Sequence, residues 1–73
     1  MTNFSERIRM LRNERNLKQA ELAEILGVKY RTYQDYEYGK CYPTAMGLVA
    51  VADYFHVSLD YLMGRTDKRE VNQ

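Results

Sequence analysis

The strongest constraint on this chain is a series of short helical segments, each too brief to stand alone and each followed by a residue suited to ending a helix. The central pair is KQAELAEILG, residues 18–27, and, after Val28, KYRTYQDYEYG, residues 29–39. In the first, Leu22, Ile25 and Leu26 form an apolar side with Ala20 and Ala23 among them. Gly27 then ends the helix in a left-handed turn that costs glycine nothing. In the second, Tyr33 and Tyr36 are spaced to face inward together, which puts Tyr30, Arg31, Gln34 and Asp35 on the opposite face. Helices of about two turns are marginal in water, so packing against the rest of the chain must hold both.

The flanks supply that packing. Phe4, Ile8 and Leu11 make one apolar face of a helix over residues 4–15, with Asn3 as cap and Glu6 completing a capping-box pattern. Asn16 suits a left-handed exit, and Leu17 is an apolar anchor beyond it. After Gly39 the residues Lys40-Cys41-Tyr42-Pro43 form a loop. Thr44 caps a helix over 45–54 whose buried candidates are Met46 or Leu48, Val49, Ala52 and Tyr54 or Phe55. His56 sits at its exit, Ser58 caps a last helix, LDYLM, and Gly64 ends it. The expected fold is all-α, with five helices in one domain over residues 1–65 and a polar tail, 66–73, that frays.

Composition narrows the chemistry. Seventy-three residues and 8.7 kDa allow one core and little room for a deep pocket. A single cysteine rules out an internal disulfide or a multi-thiolate metal site. His56 is the only histidine, and neither Ser58 nor Asp53 supplies the nucleophile and orienting acid a catalytic role would need. Cys41 has no histidine at useful spacing. The reading is therefore a binding module and not an enzyme, without metal, cofactor or small-molecule substrate. No run has signal-peptide or membrane-span character, and a lone thiol suits a reducing compartment, so the expected setting is the cytoplasm, away from membranes.

The net charge of +1 says little, but its distribution says more. Residues 1–18 carry five bases against two acids, residues 19–39 two against four, and residues 40–73 four against four. Arg7, Arg9 and Arg15 read as a solvated helix face, with Arg9 in reach of a flanking phosphate. A nearly neutral domain still offers a basic stripe if folding gathers the right residues.

The spacing of the central pair, with Ala23 four residues before Gly27 and an aromatic six after it, is that of a helix-turn-helix. The small residue allows close approach at the helix crossing, and the second helix is presented for a major groove. With RIRMLRNERNLKQAELAEILGV, YQDYEYGKCYPT and LVAVADYFHVSLDYLMG in that order, the chain resembles the Cro-like and phage-repressor family, the lambda-repressor-like fold, over roughly residues 5–65. The resemblance implies a transcription regulator, most often a repressor, that binds palindromic double-stranded DNA as a homodimer.

Carried over position by position, the resemblance assigns Tyr30, Arg31, Gln34 and Asp35 to base edges, with Lys29 beside them on the adjacent backbone. It assigns Gln19, Thr32, Tyr38 and Lys40 to phosphates, and Arg12 with Glu37 to an ion pair tying the first helix to the end of the third. A dimer contact is expected around the last helix, at Val57, Leu59, Leu62 and Met63. Three departures stand out. Lys18 and Lys29 occupy positions where hydroxyl caps are usual, Tyr33 replaces an aliphatic core residue and should push the third helix outward, and Asp35 sits beside Arg31. Asp35 has three roles open to it: accepting from a cytosine amino group, holding Arg31, or repelling phosphate. The competing function is a protein-interaction module, an antitoxin or the target of an anti-repressor, meeting a regulatory protein partner through the tyrosine-rich third helix.

Overall fold

Local capping chemistry sets most of the helix boundaries. In the computed structural model, which describes residues 3–70, five helices follow one another: α1 (Phe4–Glu14), α2 (Gln19–Leu26), α3 (Tyr30–Tyr38), α4 (Ala45–Phe55) and α5 (Leu59–Leu62). There is no strand among the described residues. Asn3, Thr44 and Ser58 each accept a hydrogen bond from a backbone N–H of the first helical turn, at 3.0–3.1 Å. Gly27 and His56 both leave their helices with left-handed geometry, at φ 72° and 56°, and Asn16 turns the chain after α1 at φ 56°. A Cβ built on Gly27 meets nothing within 4 Å, so it is the backbone angle and not a lack of space that favours glycine there.

The start of α2 partly compensates for its missing cap. Lys18 offers no side-chain acceptor, but the Glu21 carboxylate accepts from the Lys18 N–H at 2.8 Å, which is half of a capping box. At α1 the roles are reversed, since Asn3 carries the cap and Ser5 Oγ donates to the same oxygen at 2.8 Å.

One core joins all five helices: Phe4, Ile8 and Leu11 from α1, Leu22 and Ala23 from α2, Tyr33 and Tyr36 from α3, Val51, Ala52 and Phe55 from α4, Val57, then Tyr61 and Leu62 from α5. Ala23 is buried where α2 meets α3, and α3 also packs on α1. Tyr33 lies wholly inside, edge-on to Tyr36 with ring centres 6.1 Å apart.

Four expectations need correction here. Of the alternatives Met46 and Leu48, Leu48 packs against the core and Met46 is exposed, and Val49 is exposed too, because α4 buries the face of Val51, Ala52 and Phe55. Ile25 is exposed as well, since Leu22 and Ala23 take the inward positions of α2. Arg7 is buried rather than solvated, at 5% exposure: its guanidinium lies 3.9 Å above the Tyr61 ring and donates to Asp67 at 2.9 Å. The tail does not fray as far as Arg69. Arg69 donates to Glu14 at 2.8 Å, its carbonyl accepts from the Ser58 N–H at 2.8 Å, and its guanidinium lies 5.3 Å from the Tyr61 ring. Tyr61 thus contacts two arginines from segments far apart in sequence. Residues 71–73 of that tail lie outside the described residues.

Candidate nucleic-acid interface

The surface that matters is built outward from a buried carboxylate. Glu37 sits in the last turn of α3 and is 3% exposed. Arg12, from α1, donates to it twice, Nε to Oε2 at 2.6 Å and Nη2 to Oε1 at 3.2 Å, while its Nη1 donates to the Leu17 carbonyl at 2.7 Å. The Tyr33 hydroxyl, one turn earlier on α3, donates to Oε2, and Gln19 Nε2, at the start of α2, donates to Oε1 at 3.0 Å. One side chain therefore fastens α1, α2 and α3 together. Burial pushes the Glu37 carboxyl upward, but the hydrogen bonds from Arg12, Tyr33 and Gln19 more than reverse this and hold it below the usual carboxylate range. The same surroundings push the Tyr33 hydroxyl the other way: burial and its bond to Glu37 raise it well above the ordinary tyrosine value, so it stays a donor.

With its inner side fixed, α3 turns a second face outward. Lys29, Tyr30, Arg31 and Tyr38 are exposed, as is Lys40 just beyond the helix, and Thr32, Gln34 and Asp35 are half-buried. Tyr30, Gln34 and Tyr38 form one i, i+4 stripe, and Arg31 and Asp35 form the next. Arg31 Nε lies 4.0 Å from Asp35 Oδ1, a loose pair that leaves most of the guanidinium in water. On the helix itself Arg31 and Asp35 offset each other, and the exposed Lys29 and Lys40 stand at its two ends, so positive charge flanks this face although the chain is nearly neutral. Lys18 and Lys29 precede the open N-terminal turns of α2 and α3 with no side-chain cap, an arrangement of donors and cations that favours an anion.

The structure ties Gln19 and Gln34 into the buried network instead of leaving them loose on the surface. Gln34 Nε2 donates to Gln19 Oε1 at 3.4 Å, and Gln19 Nε2 spends one of its two hydrogens on Glu37. Sequence reasoning missed this relay, and it missed the bond from Tyr33 to Glu37, although their i, i+4 spacing was a usable signal. The four residues assigned to a dimer contact separate. Val57 and Leu62 belong to the core and Met63 packs against it, so only Leu59 is exposed. Leu59 lines a shallow groove with Val49, Ala52, Asp53 and Val57, and Val49 continues along α4 to the exposed Met46. Among the described residues no three His, Cys, Asp or Glu gather as metal ligands, and no helix is long and apolar enough to cross a membrane.

Five helices around one core, with α3 held from behind and presented in front, define a helix-turn-helix domain of the phage-repressor type. The chain belongs to the helix-turn-helix family, whose profile matches residues 8–62. It is 37% identical over 69 residues to the cryptic phage CTXphi transcriptional repressor RstR of Vibrio cholerae, a match covering 92% of this chain and 62% of that one. The chain thus spans about three-fifths of that relative's length. A solved transcriptional regulator from Listeria innocua superposes with a TM-score of 0.81 at 37% identity, over 96% of this chain and 64% of that one. The P22 c2 repressor, solved in complex with a synthetic operator, superposes with a TM-score of 0.82 at 27% identity, over 90% of this chain and all of that one.

Proposed function

We propose that this domain binds double-stranded DNA sequence-specifically and regulates transcription, as a repressor acting in the cytoplasm. The observation that carries the reading is the exposed outward face of α3, flanked by Lys29 and Lys40 and held by the Glu37 network behind it. Its fold is that of a repressor solved on an operator, which supports the same reading. In this mechanism α2 crosses the sugar–phosphate backbone and α3 enters the major groove. Arg31, Gln34 and Tyr30 meet base edges, while Gln19, Lys29, Thr32, Tyr38 and Lys40 meet phosphates and fix the register. Asp35 steadies Arg31 through Nε, which leaves the terminal nitrogens for the O6 and N7 acceptors of guanine.

One protomer makes few base contacts, so the domain acts as a two-fold dimer on half-sites about one helical turn apart. Among the described residues around α5, the groove edged by Val49 and Leu59 offers exposed apolar side chains for that contact. The protein-interaction reading rests on the exposed Tyr30, Tyr38 and Tyr42, a side-chain type enriched at interface hot spots.

Two variants test the assignment, titrated against one matched and one scrambled duplex. Arg31→Ala should weaken specific binding by about 1–3 kcal/mol and relax the preference at one base pair. Unchanged sequence preference in that variant would remove Arg31 from the reading set. Asp35→Asn should lower discrimination if Asp35 steadies Arg31, whereas a rise in affinity for both duplexes alike would show that it only repels phosphate.

A further inference from the structure

The buried network does more than hold α3 in place, because it also fixes which way round two amides sit. Glu37 accepts four hydrogen bonds, from Arg12 Nε and Nη2, the Tyr33 hydroxyl and Gln19 Nε2. An ionised carboxylate is an acceptor only, so Gln19 has to turn its NH2 group toward Glu37 and its Oε1 away. Gln34 Nε2 donates to that oxygen at 3.4 Å. If Gln34 flipped, its own oxygen would face the oxygen of Gln19, acceptor against acceptor, and the bond would be lost. The polarity therefore passes from the Arg12–Glu37 pair to Gln19, and from Gln19 to Gln34 on the groove-facing stripe. Gln34 has one amide hydrogen spent on Gln19, and its Oε1 and second hydrogen remain.

We infer that Gln19 is a positioning residue which, oriented by Glu37, locks the Gln34 amide so that Gln34 selects adenine at one position of each half-site. This rests on the DNA-reading assignment above. An acceptor next to a donor complements the N6 amino group and N7 of adenine. Guanine presents two acceptors in the major groove, and thymine an acceptor and a methyl group, so both would face Oε1 without a donor. Cytosine satisfies Oε1 through its amino group but gives the second hydrogen no acceptor. Adenine alone uses both remaining groups.

The test is selection of the full chain and of Gln34→Ala and Gln19→Met on a randomised duplex library, with thermal melting of each protein alongside. Methionine keeps the volume of Gln19 and removes its amide. The expected result for the wild type is one half-site position where adenine exceeds guanine by about tenfold. That preference should vanish in Gln34→Ala and fall several-fold in Gln19→Met, with the other positions keeping their bases. An enriched site in which no adenine depends on Gln34 overturns the inference while leaving the DNA reader intact. Loss of the adenine in Gln34→Ala but full retention in a folded Gln19→Met overturns the lock. No enrichment by the wild type or by either variant overturns the DNA-reading assignment itself, and the inference with it.

Discussion

Replacing Arg12 by methionine should lower the stability of the domain by about 3–5 kcal/mol, because it leaves the Glu37 carboxylate buried without its cation. Glu37 is 3% exposed, and Tyr33 and Gln19 would be its remaining donors. The Leu17 carbonyl, which accepts from Arg12 Nη1 at 2.7 Å, would lose that donor as well. A domain of 73 residues has a total stability of about 4–11 kcal/mol, so the loss is a large part of the whole and corresponds to a melting point lower by about 15 °C or more. Thermal and urea denaturation would measure it. A loss below about 1 kcal/mol would place the pair with ordinary surface ion pairs and contradict the network.

The pH dependence gives this prediction a sign. In the wild type Glu37 titrates below its unfolded value, so its contribution is complete above the usual carboxylate range and is lost as pH falls through the folded pKa. In Arg12→Met, burial acts on Glu37 with no cation to oppose it, and protonation then relieves the strain of the unpaired charge. The stability gap between the two proteins should therefore narrow on going from neutral pH to about pH 4.5. A gap that widens over that range would mean Glu37 is not the group left unpaired.

The second large effect separates two leucines three residues apart. Leu62 is 0% exposed, and Leu62→Ala should cost about 2–5 kcal/mol through lost burial and the cavity left behind. Leu59 is 42% exposed, and Leu59→Ala should change the stability of the single protomer by no more than about 0.5 kcal/mol. If the Val49–Leu59 groove joins two copies, the Leu59 variant should instead shift self-association to higher protein concentration, as seen by sedimentation. Equal destabilisation by the two substitutions at low concentration would contradict the placement of α5. An unchanged association curve for Leu59→Ala would remove that groove from the dimer.

Helix boundaries were legible in the sequence because their determinants are local. Asn3, Thr44 and Ser58 cap, and Asn16, Gly27, Gly39 and His56 turn the chain, each through a residue type whose preference shows without knowledge of the fold. The inward face of α1 and the tyrosine pair of α3 were legible from spacing for the same reason. The face of α4 was not. Its sequence, AMGLVAVADYF, is apolar nearly all round, so periodicity does not single out the side that α5 and the rest of the core will cover. Arg7 was hidden for a different reason: its partners Tyr61 and Asp67 lie at the far end of the chain and meet α1 only after folding. Folding also brings Gln19 beside Glu37, so the candidate site was legible as a set of exposed residue types but not as a connected network.

The central claim is that α3 reads double-stranded DNA. Its most direct test is selection of the purified chain on a randomised duplex library, followed by binding of the winning duplex over a series of salt concentrations. The account predicts enrichment of a pseudo-palindrome, with log affinity falling linearly against log salt at a slope of about −0.9 for each phosphate neutralised. No enrichment together with a shallow slope would contradict it, and would point to the exposed tyrosines of α3 as a surface for a protein partner.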